Sequence, residues 1–191
     1  MSSILQRHIQ KLTKISDQEA LAALSFFEPV ELKKKQNLLI EGNVCRYNYF
    51  VDDGLLRMFF VKDNGVEQTI QFALESWWIA DYTSFEGQKP SGFYIQAVEN
   101  CRLLALSYEK QEIMFRQQPF MERYFRLVHQ RAHAASQFRI KFLYDLSRED
   151  MYHAFARNFP EFVQRVPQYL LASFLGFTPE YLSEIRGRRR S

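Results

Sequence analysis

Four arginines crowd the last six residues: Arg186, Arg188, Arg189 and Arg190, with no acid among them. Guanidinium groups at that density hold phosphates, and one at a helix end can also reach a base edge. Just upstream stand Thr178, Tyr181 and Ser183, whose hydroxyls can donate to phosphate oxygens or to bases. The net charge is only +3, so the placement of charge, not its total, points to double-stranded DNA. Glu180 and Glu184 in the same stretch pull the other way. They suit a helix N-terminus or a cytosine amine, but they repel phosphate.

Other chemistries find little support. All four histidines, His8, His129, His133 and His153, lie outside the strand-like middle of the chain, which removes the ligand set of a cupin-type metal enzyme. His129 and His133 are four apart on one helix, but no third ligand accompanies them, so no metal site is expected. Cys45 and Cys101 are too few for an iron–sulfur cluster or a disulfide framework, and fit two thiols in a reducing cytoplasm. No Gly-rich phosphate loop and no nucleophile elbow occurs. The chain does not read as an enzyme. No run reaches the ~18 apolar residues of a membrane span, and the N-terminus lacks the separate apolar stretch of a signal peptide.

The hydroxyls and arginines need a frame, and QRVPQYLLASFLGFTPEYLSEIRGRRR supplies one. Pro167 suits the first turn of a helix, where a missing N–H is harmless. Leu170, Leu171 and Leu175 give that helix an apolar side, and Ala172 is small where a second helix must cross. Gly176 fits a helix end that needs positive φ. Thr178 then caps a second helix, Pro179 opens it, and Leu182 and Ile185 turn back inward. The spacing is that of a helix-turn-helix.

Upstream, Ser16 and Glu19 form a capping box ahead of a short helix. From Val30 to about Leu106, alternating and continuous apolar runs are broken at Gly42, Asp53-Gly54, Asn64-Gly65, Gly87 and Asn100. Such breaks between aromatic and β-branched runs read as hairpins of a small antiparallel sandwich or barrel. A short helix over YEKQEIMFRQ follows, then a long one from near Phe120 to about Leu146. Its stripe Phe120, Tyr124, Leu127, Arg131, Ala134 and Phe138, with Val128, Ala132 and Ala135 beside it, is wider than one contact surface needs. We therefore expect a homodimer through Phe120, Tyr124, Leu127, Val128, Ala132, Ala135 and Phe138. Ser147 caps the next helix, which Pro160 stops.

This order of parts resembles the Crp/Fnr family of regulators over essentially the whole chain, most specifically in RVPQYLLASFLGFTPEYLSEIR. The resemblance implies an α+β fold: an N-terminal antiparallel β-roll, a cupin-like double-stranded β-helix with flanking helices, as sensor over 1–118; a dimerising helix over 119–146; and a DNA-binding helix-turn-helix over 147–191. It implies a cytoplasmic transcription regulator that binds DNA through Thr178, Tyr181, Ser183, Arg186, Arg188, Arg189 and Arg190, with RNA polymerase as a further partner. Glu184 stands where the family commonly has a base-reading arginine, and the usual β-wing is missing or vestigial. Cyclic-nucleotide-binding members carry a Gly-Glu pair and a later Arg-Ser pair around the phosphate; here Ile79 and Ala80, then Pro90 and Ser91, fall at those places. An unpaired buried phosphate is costly, which disfavours cAMP. Another small effector is expected near Trp77, Trp78 and Tyr82. The alternative is a ligand-binding or protein-interaction module whose helix-turn-helix no longer holds DNA.

Overall fold

A computed structural model describes residues 3–188. Two N-terminal helices, α1 (Ser3–Thr13) and α2 (Asp17–Leu24), precede eight strands: β1 (Glu28–Leu32), β2 (Asn37–Leu39), β3 (Tyr47–Asp53), β4 (Leu56–Val61), β5 (Glu67–Ala73), β6 (Trp78–Ile79), β7 (Tyr94–Ala97) and β8 (Cys101–Ser107). A short helix, α3 (Tyr82–Gly87), interrupts them after β6. The rest is helical: α4 (Tyr108–Gln117), α5 (Phe120–Asp145), α6 (Arg148–Asn158), α7 (Pro160–Arg165), α8 (Gln168–Leu175) and α9 (Pro179–Arg188).

The strands form two four-stranded sheets, ordered β1-β8-β3-β6 and β2-β7-β4-β5, the antiparallel roll expected from the sequence. Alternation along β3 decides what each face covers. Tyr49 and Val51 point into the roll with Leu56, Met58, Ile95 and Leu103. Phe50 points the other way, into a second core with Leu5 and Ile9 of α1, Trp78, and Met121 and Phe125 of α5. Asp53-Gly54 does more than turn the chain. Gly54 has φ +109°, and a Cβ there would lie 2.6 Å from Cys101 Sγ and 2.8 Å from Asn100 O. Only glycine fits so close an approach.

The capping box at α2 forms as the spacing requires: Glu19 N–H donates to Ser16 Oγ, and Ser16 N–H to Glu19 Oε2. Pro160 ends α6 but also opens α7, a helix the sequence reading did not separate. The chain divides into two compact units, one of residues 3–60 and 70–129, the other of residues 61–69 and 130–188. The division falls inside α5, not at its ends.

Tyr124 departs from the expectation placed on it. It is fully buried in its own chain's core: its hydroxyl accepts from Trp78 Nε1–H (3.0 Å) and lies 2.7 Å from His8 Nδ1. It has no surface left to offer a second copy. Phe120, Leu127 and Val128 are partly packed on the same core.

Candidate nucleic-acid interface

In the second unit, α8 is started by Pro167, which sits at the N-cap one step before the first turn, its carbonyl accepting from the N–H groups of Leu170 and Leu171. The helix ends at Gly176, whose φ of +77° is left-handed. Space is not the constraint there, since a Cβ on Gly176 would meet nothing within 4 Å. The backbone angle is. That turn lets Phe177 N–H reach back to Ala172 O at 2.8 Å, a helix stop that adds a second donor to the carbonyl already met by Gly176 N–H. Thr178 Oγ1 then accepts from Tyr181 N–H (3.2 Å), capping α9 as its position requires.

The two helices meet through Leu171, Ala172 and Leu175 on α8 and Leu182 and Ile185 on α9, all buried, with Phe177 filling the corner. Burying Leu182 and Ile185 fixes what α9 shows to solvent. Thr178, Pro179, Glu180, Ser183, Glu184 and Arg186 are exposed, and Tyr181 is half-buried against Phe177. Thr178, Ser183 and Arg186 are thus all open to solvent. The Arg188 side chain, Arg189 and Arg190 lie outside the described residues. Beside α9 a shallow, open depression is lined by Gln168, Tyr169, Pro179, Glu180, Ser183 and Glu184, which contribute two carboxylates and no cation.

Two features that hold this motif left no trace in the sequence reading. Arg139 of α5 lays its guanidinium over the Phe174 ring (4.0 Å) and donates to Phe174 O (3.0 Å). Burial pushes its pKa down, and the ring face and carbonyl compensate for part of that desolvation. Ser173 of α8 bridges a strand: Thr69 N–H donates to Ser173 Oγ (2.9 Å), and Ser173 Oγ donates to Glu67 O (2.8 Å). Gln68 Nε2 also donates to Ser173 O. One hydroxyl there replaces a neighbouring strand's backbone.

In the first unit, the aromatics expected to share an effector pocket do not meet. Trp78 is 6% exposed and packs in the core against Phe27, Phe50 and Phe125. Trp77, the residue just before β6, is 51% exposed. Tyr82 sits edge-on to His129 with its hydroxyl 3.5 Å from Asn48 Oδ1. The reason is elementary: adjacent residues at a strand point to opposite sides.

A more telling group lies at the start of α3. Asp81, one residue past Ala80, is buried and caps the helix, its Oδ1 accepting from Thr83 N–H (3.1 Å) and Ser84 N–H (3.3 Å). Ser91 Oγ donates to its other oxygen at 2.7 Å. An Asp before Tyr-Thr-Ser is a cap signal, and the sequence reading passed over it. No group of three or more potential metal ligands occurs among the described residues. No described helix is long and apolar enough to cross a membrane.

Comparison with known proteins agrees with this geometry. Residues 29–118 match the cyclic nucleotide-binding domain family. None of the curated proteins matches the chain in sequence. Among solved structures it is similar to the c-di-GMP responsive global regulator CLP of Xanthomonas campestris, with TM-score 0.72, 13% identity and 92% of each chain covered. It is also similar to a CooA mutant of Carboxydothermus hydrogenoformans (TM-score 0.71, 15% identity, 100% of this chain and 85% of that one). The catabolite activator protein of Thermus thermophilus gives TM-score 0.60 at 19% identity, with 95% and 85% covered. At such identities the likeness is one of fold.

Proposed function

Residues 29–118 belong to the cyclic nucleotide-binding domain family and the chain has the fold of the Crp/Fnr transcription regulators; from that premise we propose that the protein is a cytoplasmic, homodimeric, DNA-binding regulator, not an enzyme, whose effector is something other than cAMP. One observation carries the DNA reading: after the Gly176 turn Leu182 and Ile185 are buried, while Thr178, Ser183 and Arg186 are each left exposed. A helix presented in this way enters a major groove, with hydroxyls on phosphates and the guanidinium on a phosphate or a guanine edge. Dimerisation rests on α5, where every residue from Gln130 to Phe138 is exposed. Two copies joined there would offer two recognition helices to two half-sites.

The reading against cAMP is supported by Asp81. Its carboxylate takes the two N–H groups at the start of α3 and the Ser91 hydroxyl, which are the donors an incoming phosphate would require. A second anion beside a buried carboxylate costs more than it gains. The signal is transmitted at the break after Asp145, where Ser147 caps α6 and the two helices can change their mutual direction.

A second reading keeps a specific observation in its favour. Glu180 and Glu184 line the depression beside α9, as they would in a protein-contact surface that has given up DNA. Selection of genomic fragments by the purified chain, followed by salt titration, separates the two. DNA binding by arginine falls steeply with salt, and contact through an apolar surface does not. Arg186→Ala should weaken the selected fragment about tenfold or more, as loss of a base or phosphate contact does, with the melting temperature unchanged. Absence of any enriched fragment, or equal binding by the variant, overturns the DNA reading.

A further inference from the structure

Tyr49 holds a polar group that the fold does not use. The residue is 8% exposed and faces into the roll from the middle of β3. Its hydroxyl makes no hydrogen bond among the described residues. Tyr49 lines a cavity of about 360 Å³. That size falls within the range of roughly 300–1,000 Å³ typical of small-molecule sites.

The walls define what would fit. Tyr47 and Tyr49, with ring centroids 5.9 Å apart, form an aromatic side, and Leu39 and Val44 an aliphatic one. Arg46 stands exposed at the rim, and its guanidinium enters no ion pair among the described residues. Asn43 is the neighbouring rim group, and no carboxylate lines the cavity. Burial pushes the Tyr49 phenol up from its ordinary pKa, so it remains a neutral donor. One donor inside, one cation at the mouth and no carboxylate in the walls leave a cationic ligand without a charged partner. A polyphosphate would carry more charge than a single guanidinium balances.

We propose that the cavity between Tyr49 and Arg46 is a binding site for a small organic monoanion with an apolar body, an aromatic or branched carboxylate. The apolar body lies between Tyr47, Leu39 and Val44, and the carboxylate accepts from both the Tyr49 hydroxyl and the Arg46 guanidinium. This site is separate from the Asp81 cap and from Trp77, Trp78 and Tyr82, and it needs no DNA to be tested.

The experiment is calorimetric titration of the full chain with benzoate, 2-naphthoate and octanoate, and with 2-naphthalenemethanol as the uncharged control. At least one carboxylate is expected to bind saturably with one site per chain. Arg46→Gln should weaken the carboxylates about tenfold and leave the alcohol unchanged, the size of one charge-assisted contact. Tyr49→Phe should weaken the ligand that binds by a similar factor, while the ligand-free variant melts at or above the parent temperature. Failure of all three carboxylates to bind at millimolar concentration overturns the proposal. So does binding that neither substitution alters. A clear fall in the melting temperature of ligand-free Tyr49→Phe would show that the hydroxyl serves the fold, and would overturn it equally.

Discussion

Along α5, Met121, Tyr124 and Phe125 are sealed into the core with α1 and Trp78, whereas every residue from Gln130 to Phe138 is exposed. The same helix and the same apolar rhythm therefore meet two different fates. The first stretch is held by side chains of its own chain. The second contains Ala132, Ala134, Ala135 and Phe138, all exposed, and Phe138 is 64% exposed. Helical turns without tertiary packing are marginal in water, so what steadies this stretch must come from elsewhere. With the proposed dimer, the contrast would separate folding from assembly along one rod.

The largest effect should come from the sealed stretch. Phe125 packs at a tilt against Trp78 (4.8 Å) and edge-on to Phe115 (5.7 Å) and is 3% exposed. Phe125→Ala removes a large buried ring and leaves a cavity, which costs about 3–5 kcal/mol. Urea unfolding at two protein concentrations would read it, and the loss should be the same at both. A cost under about 1 kcal/mol would mean that this part of α5 is not seated as described.

The exposed stretch should behave in the opposite way. Ala135→Arg keeps a good helix former on a solvated surface, so the fold should change by no more than about 0.5 kcal/mol. Two guanidinium groups brought together at a close helix crossing would nevertheless repel. Sedimentation equilibrium should show the parent as a dimer and the variant as a monomer, with DNA affinity falling as the second half-site is lost. A variant that remains dimeric would move the interface off Ala132, Ala135 and Phe138.

The same contrast explains what could be read from residues alone. The α8–α9 turn was legible because each rule is local: Gly176 for φ, Thr178 for the cap, Pro179 for the first turn, Leu182 and Ile185 for the return. The hairpin breaks were only partly legible: Asn64-Gly65 joins the neighbouring strands β4 and β5, but Gly42, Gly54 and Asn100 carry the chain from one sheet to the other and Gly87 ends α3, because a turn signal does not say which strand the next one pairs with. Tyr124 was not, because a stripe of correct period is identical whether it faces its own core or a second copy. Its assignment depends on His8, 116 residues away. Ser173 meets Glu67 and Thr69 across similar distances along the chain. Trp77 and Trp78 are a different case: strand alternation alone would have parted them, had β6 been recognised in so short a run.

The smallest predicted effect lies at the seam between the two stretches. His129 packs edge-on to Tyr82 (4.7 Å) and near Phe125 (6.1 Å), and burial lowers its pKa from the ordinary value of 6.5. The unfolded chain therefore takes up the proton first as pH falls. Stability attributable to the neutral ring is complete well above pH 6.5 and declines as pH drops through that value. The ring keeps much of its surface in water, so the decline should be on the order of a few tenths of a kcal/mol. Thermal melts of the parent and His129→Asn from pH 8 to 5 would isolate it as a flatter slope in the variant. Because Tyr82 and Phe125 belong to the same chain as His129, the slope should persist in the Ala135→Arg background. A slope that vanished there would show that the ring is buried by a partner helix, and the boundary between the two stretches of α5 would then lie before His129.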